Sequence, residues 1–197
     1  MIVIGLTGSI GMGKSRAASM LKLMGIPVHD SDKAVHAALQ PTGGAFNDVI
    51  AAFPSVLDKK TNRIDRKKLG DIVFNDPAVL KKLENILHPA AKKSQADFIQ
   101  SMARKGKRAV VLEIPLLFET GAEKRVDAVL CVSAPPAIQR RRVLARKGMT
   151  EEKFKSILAK QMPDAKKRAM SDYVVQTGMG HGHTFRALRK IIRELGV

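Results

Sequence analysis

The segment Ile2-Val3-Ile4-Gly5-Leu6-Thr7-Gly8-Ser9-Ile10-Gly11-Met12-Gly13-Lys14-Ser15 decides how the rest of the chain is read. Residues 2 to 7 lack polar alternation, the pattern of a parallel strand covered on both faces. Gly8 to Ser15 carries a glycine, four residues, then Gly-Lys-Ser, the spacing of the Walker A phosphate-binding loop, and a helical pattern follows directly. The chemistry needs these residue types. Glycines let the backbone curl until successive N–H groups converge on phosphate oxygens, where a Cβ would block the approach. The helix N-terminus adds partial positive charge. Lys14 is expected to reach the β and γ phosphates, and the Ser15 hydroxyl to ligand a magnesium ion. A glycine-rich turn with an incidental lysine is the competing reading, and the strand before and helix after weigh against it.

Outward from the loop, Ala17, Ala18, Leu21 and Met24 fall at helical spacing up to Gly25, a residue suited to a left-handed cap. A short strand over Ile26-Pro27-Val28-His29 runs into Asp30-Ser31-Asp32, where Ser31 or Asp32 is expected to cap a helix through Gln40. Pro41 to Gly44 breaks the chain before a helix to Phe53, and 58–66 reads as a polar turn. Leu69, Ile72, Val73 and Phe74 mark a short helix, and Asn75-Asp76-Pro77 the start of another that Pro89 should kink or break. That pattern resumes to about Arg104. Buried strands are expected from Ala109 to Ile114 and from Val126 to Val132. An arginine-dense helix opens at Pro135-Pro136 and ends at Gly148. Thr150 caps a further helix ending near Met162-Pro163, and another reaches Met170. Tyr173-Val174-Val175 is a last strand, and a C-terminal helix carries Leu188, Ile191, Ile192 and Leu195. Alternating strands and helices predict an α/β fold, a parallel sheet with helices on both sides.

Composition narrows the class of function. The 197 residues fit one domain, with 45% hydrophobic and 27% charged residues, and no apolar run approaches the ~18 residues of a membrane span. No export signal is visible at the N-terminus. Cys131 is the only cysteine, so no internal disulfide can form, and a buried packing role in a reducing compartment is expected. Lys and Arg number 35 against 18 Asp and Glu, a net charge of +17 that attracts polyanions. Nucleic-acid binding competes here with an enzyme whose substrates carry several phosphates. Seven Phe, one Tyr and no Trp make few stacking platforms for bases, which favours the enzyme.

Phosphate loops serve many reactions, so other positions must supply the chemistry. Asp30 and Asp32 arrive at a strand end soon after the loop, where ligand crevices form in such sheets. A carboxylate there can take the proton from an attacking hydroxyl, or it can simply cap the next helix. Arg142 and Arg146 are four apart and would share a helix face from which to cover phosphates, whereas Arg140 and Arg141 fit a solvated basic face. His88 is a lone histidine before a helix-breaking proline, a place where a histidine is more often structural than functional. Glu113 ends a buried strand and has three readings, the water shell of a magnesium ion, a helix cap or a salt bridge.

These pieces together resemble the dephospho-CoA kinase family over nearly the whole chain. The matching residues are Gly5 to Ser15, Asp30-Ser31-Asp32, Ile64-Asp65-Arg66, Val73-Phe74, Leu83-Glu84, Leu87-His88-Pro89 and Pro115-Leu116-Leu117-Phe118-Glu119. Gln139, Arg142, Arg146, Gln161, Lys167 and Asp172 continue the resemblance. It implies transfer of the ATP γ-phosphate to the ribose 3′-hydroxyl of dephospho-CoA, the last step of CoA synthesis, with Mg2+. It also implies a three-layer P-loop nucleoside triphosphate hydrolase-type core at 1–30, 105–135 and 172–197, with a helical CoA-binding insertion at about 31–104 and a helical lid at about 136–171.

Carried onto this sequence, the resemblance makes Asp32 the general base, with Lys14 and Arg142 in the transfer. ATP contacts fall to Gly8, Gly11, Met12, Gly13, Lys14, Ser15, Arg16, Arg142 and Arg146. Substrate contacts fall to Thr7, Asp32, His88 and Leu117, and the metal to Ser15. Two departures stand out. Arg16 replaces the family's usual Thr facing the α-phosphate, and Gln176-Thr177-Gly178 replaces its usual Asp-Asn, so no adenine-reading role is assigned to Thr177. The expected protein is cytoplasmic, a monomer or weak homo-oligomer, without a specific nucleic-acid or membrane partner. The alternatives are a kinase for another small molecule or nucleoside monophosphate, and a basic nucleotide-dependent nucleic-acid-binding protein.

Overall fold

The computed structural model describes every residue except Asn75 and the side chain of Phe74. Its strands are β1 Ile2–Thr7, β2 Val28–Asp30, β3 Leu57–Asp58, β4 Arg63–Ile64, β5 Ala109–Glu113, β6 Ala128–Ser133 and β7 Tyr173–Gln176. Its helices are α1 Lys14–Leu23, α2 Ser31–Ala38, α3 Phe46–Ala52, α4 Arg66–Phe74, α5 Pro77–Arg104, α6 Pro136–Leu144, α7 Glu151–Ala159, α8 Asp164–Ala169 and α9 His181–Glu194. Five strands make one sheet in the order β2-β5-β1-β6-β7. β1 pairs in parallel with β5 through Leu6↔Glu113 and with β6 through Thr7↔Cys131, and β6 pairs in parallel with β7 through Ser133↔Gln176. That register gathers Thr7, Glu113, Ser133 and Gln176 at one end of the sheet, where ligands bind in open parallel sheets.

Burial explains why these strands read as apolar runs. Every residue of β5 and of β6 is buried, and Ile4 and Leu6 of β1 are fully so. Leu21 of α1 and Leu188, Ile191 and Ile192 of α9 pack into the same core. α1 ends where expected. Gly25 takes φ 83°, its N–H bonds the Lys22 carbonyl at 2.9 Å, and the Ile26 N–H reaches the Leu21 carbonyl at 3.1 Å. This is a Schellman cap, which satisfies the last carbonyls of the helix.

The chain forms two compact units, residues 1–29 with 101–197, and residues 30–100. The second has its own core of Phe46, Val49, Phe53, Val56, Ile64, Leu69 and Leu83. Four expectations are corrected there. The cap of α2 is Asp30, whose Oδ1 accepts the Lys33 N–H at 3.0 Å, and neither Ser31 nor Asp32 has that role. The helix also stops at Ala38, short of Gln40. The polar stretch 58–66 contains the antiparallel β3–β4 hairpin, because the Asp58 carboxylate accepts the Lys60 N–H at 2.9 Å and the Thr61 hydroxyl at 2.8 Å and folds the turn. Those bonds, the Thr61 hydroxyl first, hold the Asp58 carboxyl below its ordinary range. Finally, of the kink or break expected at Pro89, the break is ruled out, since α5 runs through that residue. The expected start of α5 included Asn75, which lies outside the described residues. Asp76 next to it does act as a cap, accepting the Ala78 and Val79 N–H groups at 2.8 and 3.2 Å.

Candidate active site

The loop leaves the carboxyl end of β1 and delivers Lys14 and Ser15 as the first residues of α1. Gly13 is the N-cap at φ 93° and brings no side chain to the helix end, whose dipole and N–H groups favour an anion. Only glycine fits there, since a Cβ would also come within 2.9 Å of Thr177 Oγ1. At Gly11, φ is 76° and a Cβ would meet Val143 Cγ2 at 2.5 Å. The close packing of α6 therefore dictates this second glycine.

Three side chains hold consecutive loop carbonyls from behind. Gln139 Nε2 donates to the Ile10 carbonyl at 2.8 Å, Arg142 Nη1 to the Gly11 carbonyl at 3.4 Å, and Thr177 Oγ1 to the Met12 carbonyl at 2.7 Å. Across a trans peptide the next N–H points the opposite way. Fixing the Ile10 and Met12 carbonyls thus turns the Gly11 and Gly13 N–H groups to the other side, while Met12 N–H closes on the Ser9 carbonyl at 3.2 Å. Gln161 Oε1 accepts the Ile10 N–H at 3.0 Å.

Glu113 answers the cations of the loop. Its Oε1 lies 3.2 Å from Lys14 Nζ and 3.5 Å from Ser15 Oγ, and the residue is buried. The salt-bridge reading of Glu113 is therefore present in the structure. A hydroxyl and a carboxylate are hard oxygen donors suited to magnesium, which takes its remaining oxygens from phosphates and water. No group of three or more His, Cys, Asp or Glu side chains among the described residues forms a protein-only metal cage.

The other predicted residues divide. Thr7 is fully buried and its hydroxyl donates to the Pro115 carbonyl at 3.2 Å. Lys167 Nζ, also fully buried, donates to the same carbonyl at 3.0 Å and pairs with Glu119 at 2.9 Å. Met12 is 2% exposed, and its N–H and carbonyl are bonded to Ser9 and Thr177. The Leu117 side chain is fully buried, and it would lie 2.8 Å from a Cβ on Gly5, so the expected substrate contact is corrected to core packing. Arg142 docks on the loop, but α6 ends at Leu144 and leaves Arg146 exposed beyond it, so the shared helix face is also corrected. Arg16 is exposed and lines a cavity of about 630 Å³ with Met20, Phe185, Arg186 and Arg189. Asp32 and His88 belong to the second unit, both exposed, in the first turn of α2 and within α5.

Sequence reasoning passed over Thr177, which the geometry ties to the loop and to α6 alike. Its signal was present: it directly follows β7, at the sheet end that carries the loop. Beside it a cavity of about 390 Å³ is lined by Met12, Ser133, Pro135, Gln139, Asp164 and Gln176.

A parallel sheet whose central strand feeds a glycine loop, a lysine and a hydroxyl at a helix start is the architecture of a P-loop kinase. The family model for dephospho-CoA kinase matches residues 2–181. A dephospho-CoA kinase of Mesorhizobium japonicum is 50% identical over 99% of this chain and 97% of its own. The crystal structure of a Thermus thermophilus protein is 35% identical with a TM-score of 0.86, covering 98% of this chain and 97% of that one. Dephospho-CoA kinase from Campylobacter jejuni is 28% identical with a TM-score of 0.72, covering 98% and 96%. The chain belongs to the dephospho-CoA kinase family and is a phosphotransferase.

Proposed function

We propose that the protein transfers the γ-phosphoryl group of ATP to the ribose 3′-hydroxyl of dephospho-CoA, giving CoA and ADP. The observation that carries this is the Gly8–Ser15 loop with its Lys14–Glu113 pair, in a chain of this family. Phosphoryl transfer asks little covalent chemistry of a protein and much positioning and charge. Gly11 and Gly13 N–H groups and Lys14 receive the phosphate oxygens. Ser15 and Glu113 would hold magnesium, which neutralises phosphate charge when bound. Arg142 already spends its donors on neutral carbonyl and hydroxyl acceptors and exchanges them for phosphate oxygens, a stronger charge-assisted bond.

Asp32 accepts the proton of the attacking hydroxyl, and His88 contacts the acceptor. With Asp30 capping α2, the Asp32 carboxylate is left without that duty. Residues 136–171 act as the lid and 31–104 as the acceptor-binding region. The protein acts as a monomer or weak homo-oligomer, and it works in the cytoplasm. No helix among the described residues is long and apolar enough to cross a membrane. Incubation with ATP, magnesium and dephospho-CoA should yield ADP and CoA in equal amounts. Failure to form either product overturns the proposal.

A further inference from the structure

Thr177 uses all three of its polar groups on the machinery around the loop. Its N–H donates to the Ser133 carbonyl at 2.8 Å, fixing it to the carboxyl end of β6. Its hydroxyl has one proton and gives it to the Met12 carbonyl at 2.7 Å, the Ser133 carbonyl lying farther off at 3.3 Å. The same oxygen accepts from Arg142 Nη1 at 2.9 Å, and the Thr177 carbonyl accepts from Arg142 Nη2 at 2.7 Å. Two parallel bonds to one residue fix the plane of a guanidinium, which a single bond does not. Arg142 has no carboxylate partner among the described residues, so this neutral grip is what sets its position. The side chain also has little room: Thr177 is 6% exposed, and its Oγ1 and Cγ2 would lie 2.9 and 3.3 Å from a Cβ on Gly13.

We infer that Thr177 is a positioning residue for phosphoryl transfer: its buried hydroxyl, between the Met12 carbonyl and the Arg142 guanidinium, orients the Met12–Gly13 peptide and parks the covering arginine beside the loop. The inference rests on the kinase reading above and adds a residue to it. A β-branched hydroxyl suits the place for stated reasons. Valine keeps the shape and loses both hydroxyl bonds, and serine keeps the bonds and loses the methyl.

The test is steady-state kinetics of Thr177→Val and Thr177→Ser with ATP and dephospho-CoA varied separately, alongside direct ATP binding. Thr177→Val takes the donor from the buried Met12 carbonyl and one of two acceptors from Arg142 Nη1, and KM for ATP should rise and kcat fall by about tenfold each, with KM for dephospho-CoA unchanged. Thr177→Ser should restore both values to within about threefold of the parent, and in an Arg142→Ala background Thr177→Val should change kcat less than it does in the parent, since only the Met12 carbonyl bond is then left to lose. Parental kinetics in Thr177→Val, or an equal rise in KM for both substrates, overturns the inference. Should Thr177→Val not fold, Thr177→Ala and Thr177→Ser are compared by ATP binding, and equal affinities overturn it. A parent protein that makes no CoA defeats the functional reading instead, and an active parent indifferent to Thr177→Val defeats this inference alone.

Discussion

Lys14 and Ser15 converge on one buried carboxylate, Glu113, and that carboxylate settles what the loop presents to a nucleotide. Removing its charge weakens the hard-oxygen set around Ser15. Glu113→Gln should therefore raise the magnesium concentration for half-maximal activity several-fold, measured by titrating magnesium at fixed ATP. Asp32 is free of the capping duty that its neighbour Asp30 performs. Asp32→Asn should lower kcat about 10³-fold, the usual scale for a lost general base, while ATP binding by calorimetry stays the same. The loop residues were legible because their spacing is itself the chemistry. Leu117 and Arg146 were not, because whether a side chain faces a core or solvent depends on where the chain turns, and both follow the end of an element. Thr177 was hidden for another reason: its partners Met12 and Arg142 are 165 and 35 residues away.

Elements were legible wherever burial imposes a period. β1, β5 and β6 read as apolar runs, and α9 as a stripe of Leu188, Ile191 and Ile192. The β3–β4 hairpin was missed because two residues per strand carry no period, and its turn depends on the Asp58 carboxylate. Pro89 misled in the other direction. A proline inside a helix removes one hydrogen bond and crowds the preceding turn at a cost of about 3 kcal/mol, yet α5 tolerates it. Pro89→Ala should return an N–H to the Asn85 carbonyl and raise the melting temperature, with a net gain of about 2 kcal/mol after the more flexible unfolded chain is counted. At Gly25 the space around a new Cβ is open, so Gly25→Ala should lose only the conformational cost of φ 83°, about 1 kcal/mol by chemical denaturation.

At the scale of the whole molecule, the net charge of +17 was read from the sequence, and a family of phosphate-bearing substrates gives it a use. Raising salt from 50 to about 500 mM shortens the screening length to a few ångströms and should raise KM for both substrates. The core of the first unit can be probed through Cys131. Burial, followed by the charge of Asp164, pushes its thiol from the ordinary 9.0 up to about 11. Folded protein thus favours the protonated thiol. This contribution is fully present below pH 9, and it is lost as pH rises through about 11. Denaturation curves from pH 8 to 11 should show that alkaline loss, and Cys131→Ala should flatten it.

The grip of Gln139 and Arg142 on the Ile10 and Gly11 carbonyls has a consequence for turnover. Both side chains hang from α6, and Gln161, just past α7, holds the Ile10 N–H. If the proposed lid swings away from the sheet, these pins must leave the cradle's back wall as the nucleotide is uncovered. Access and grip would then be a single thermodynamic variable: a nucleotide that tightened the loop would draw the helices down, and a helix that lifted would slacken the loop.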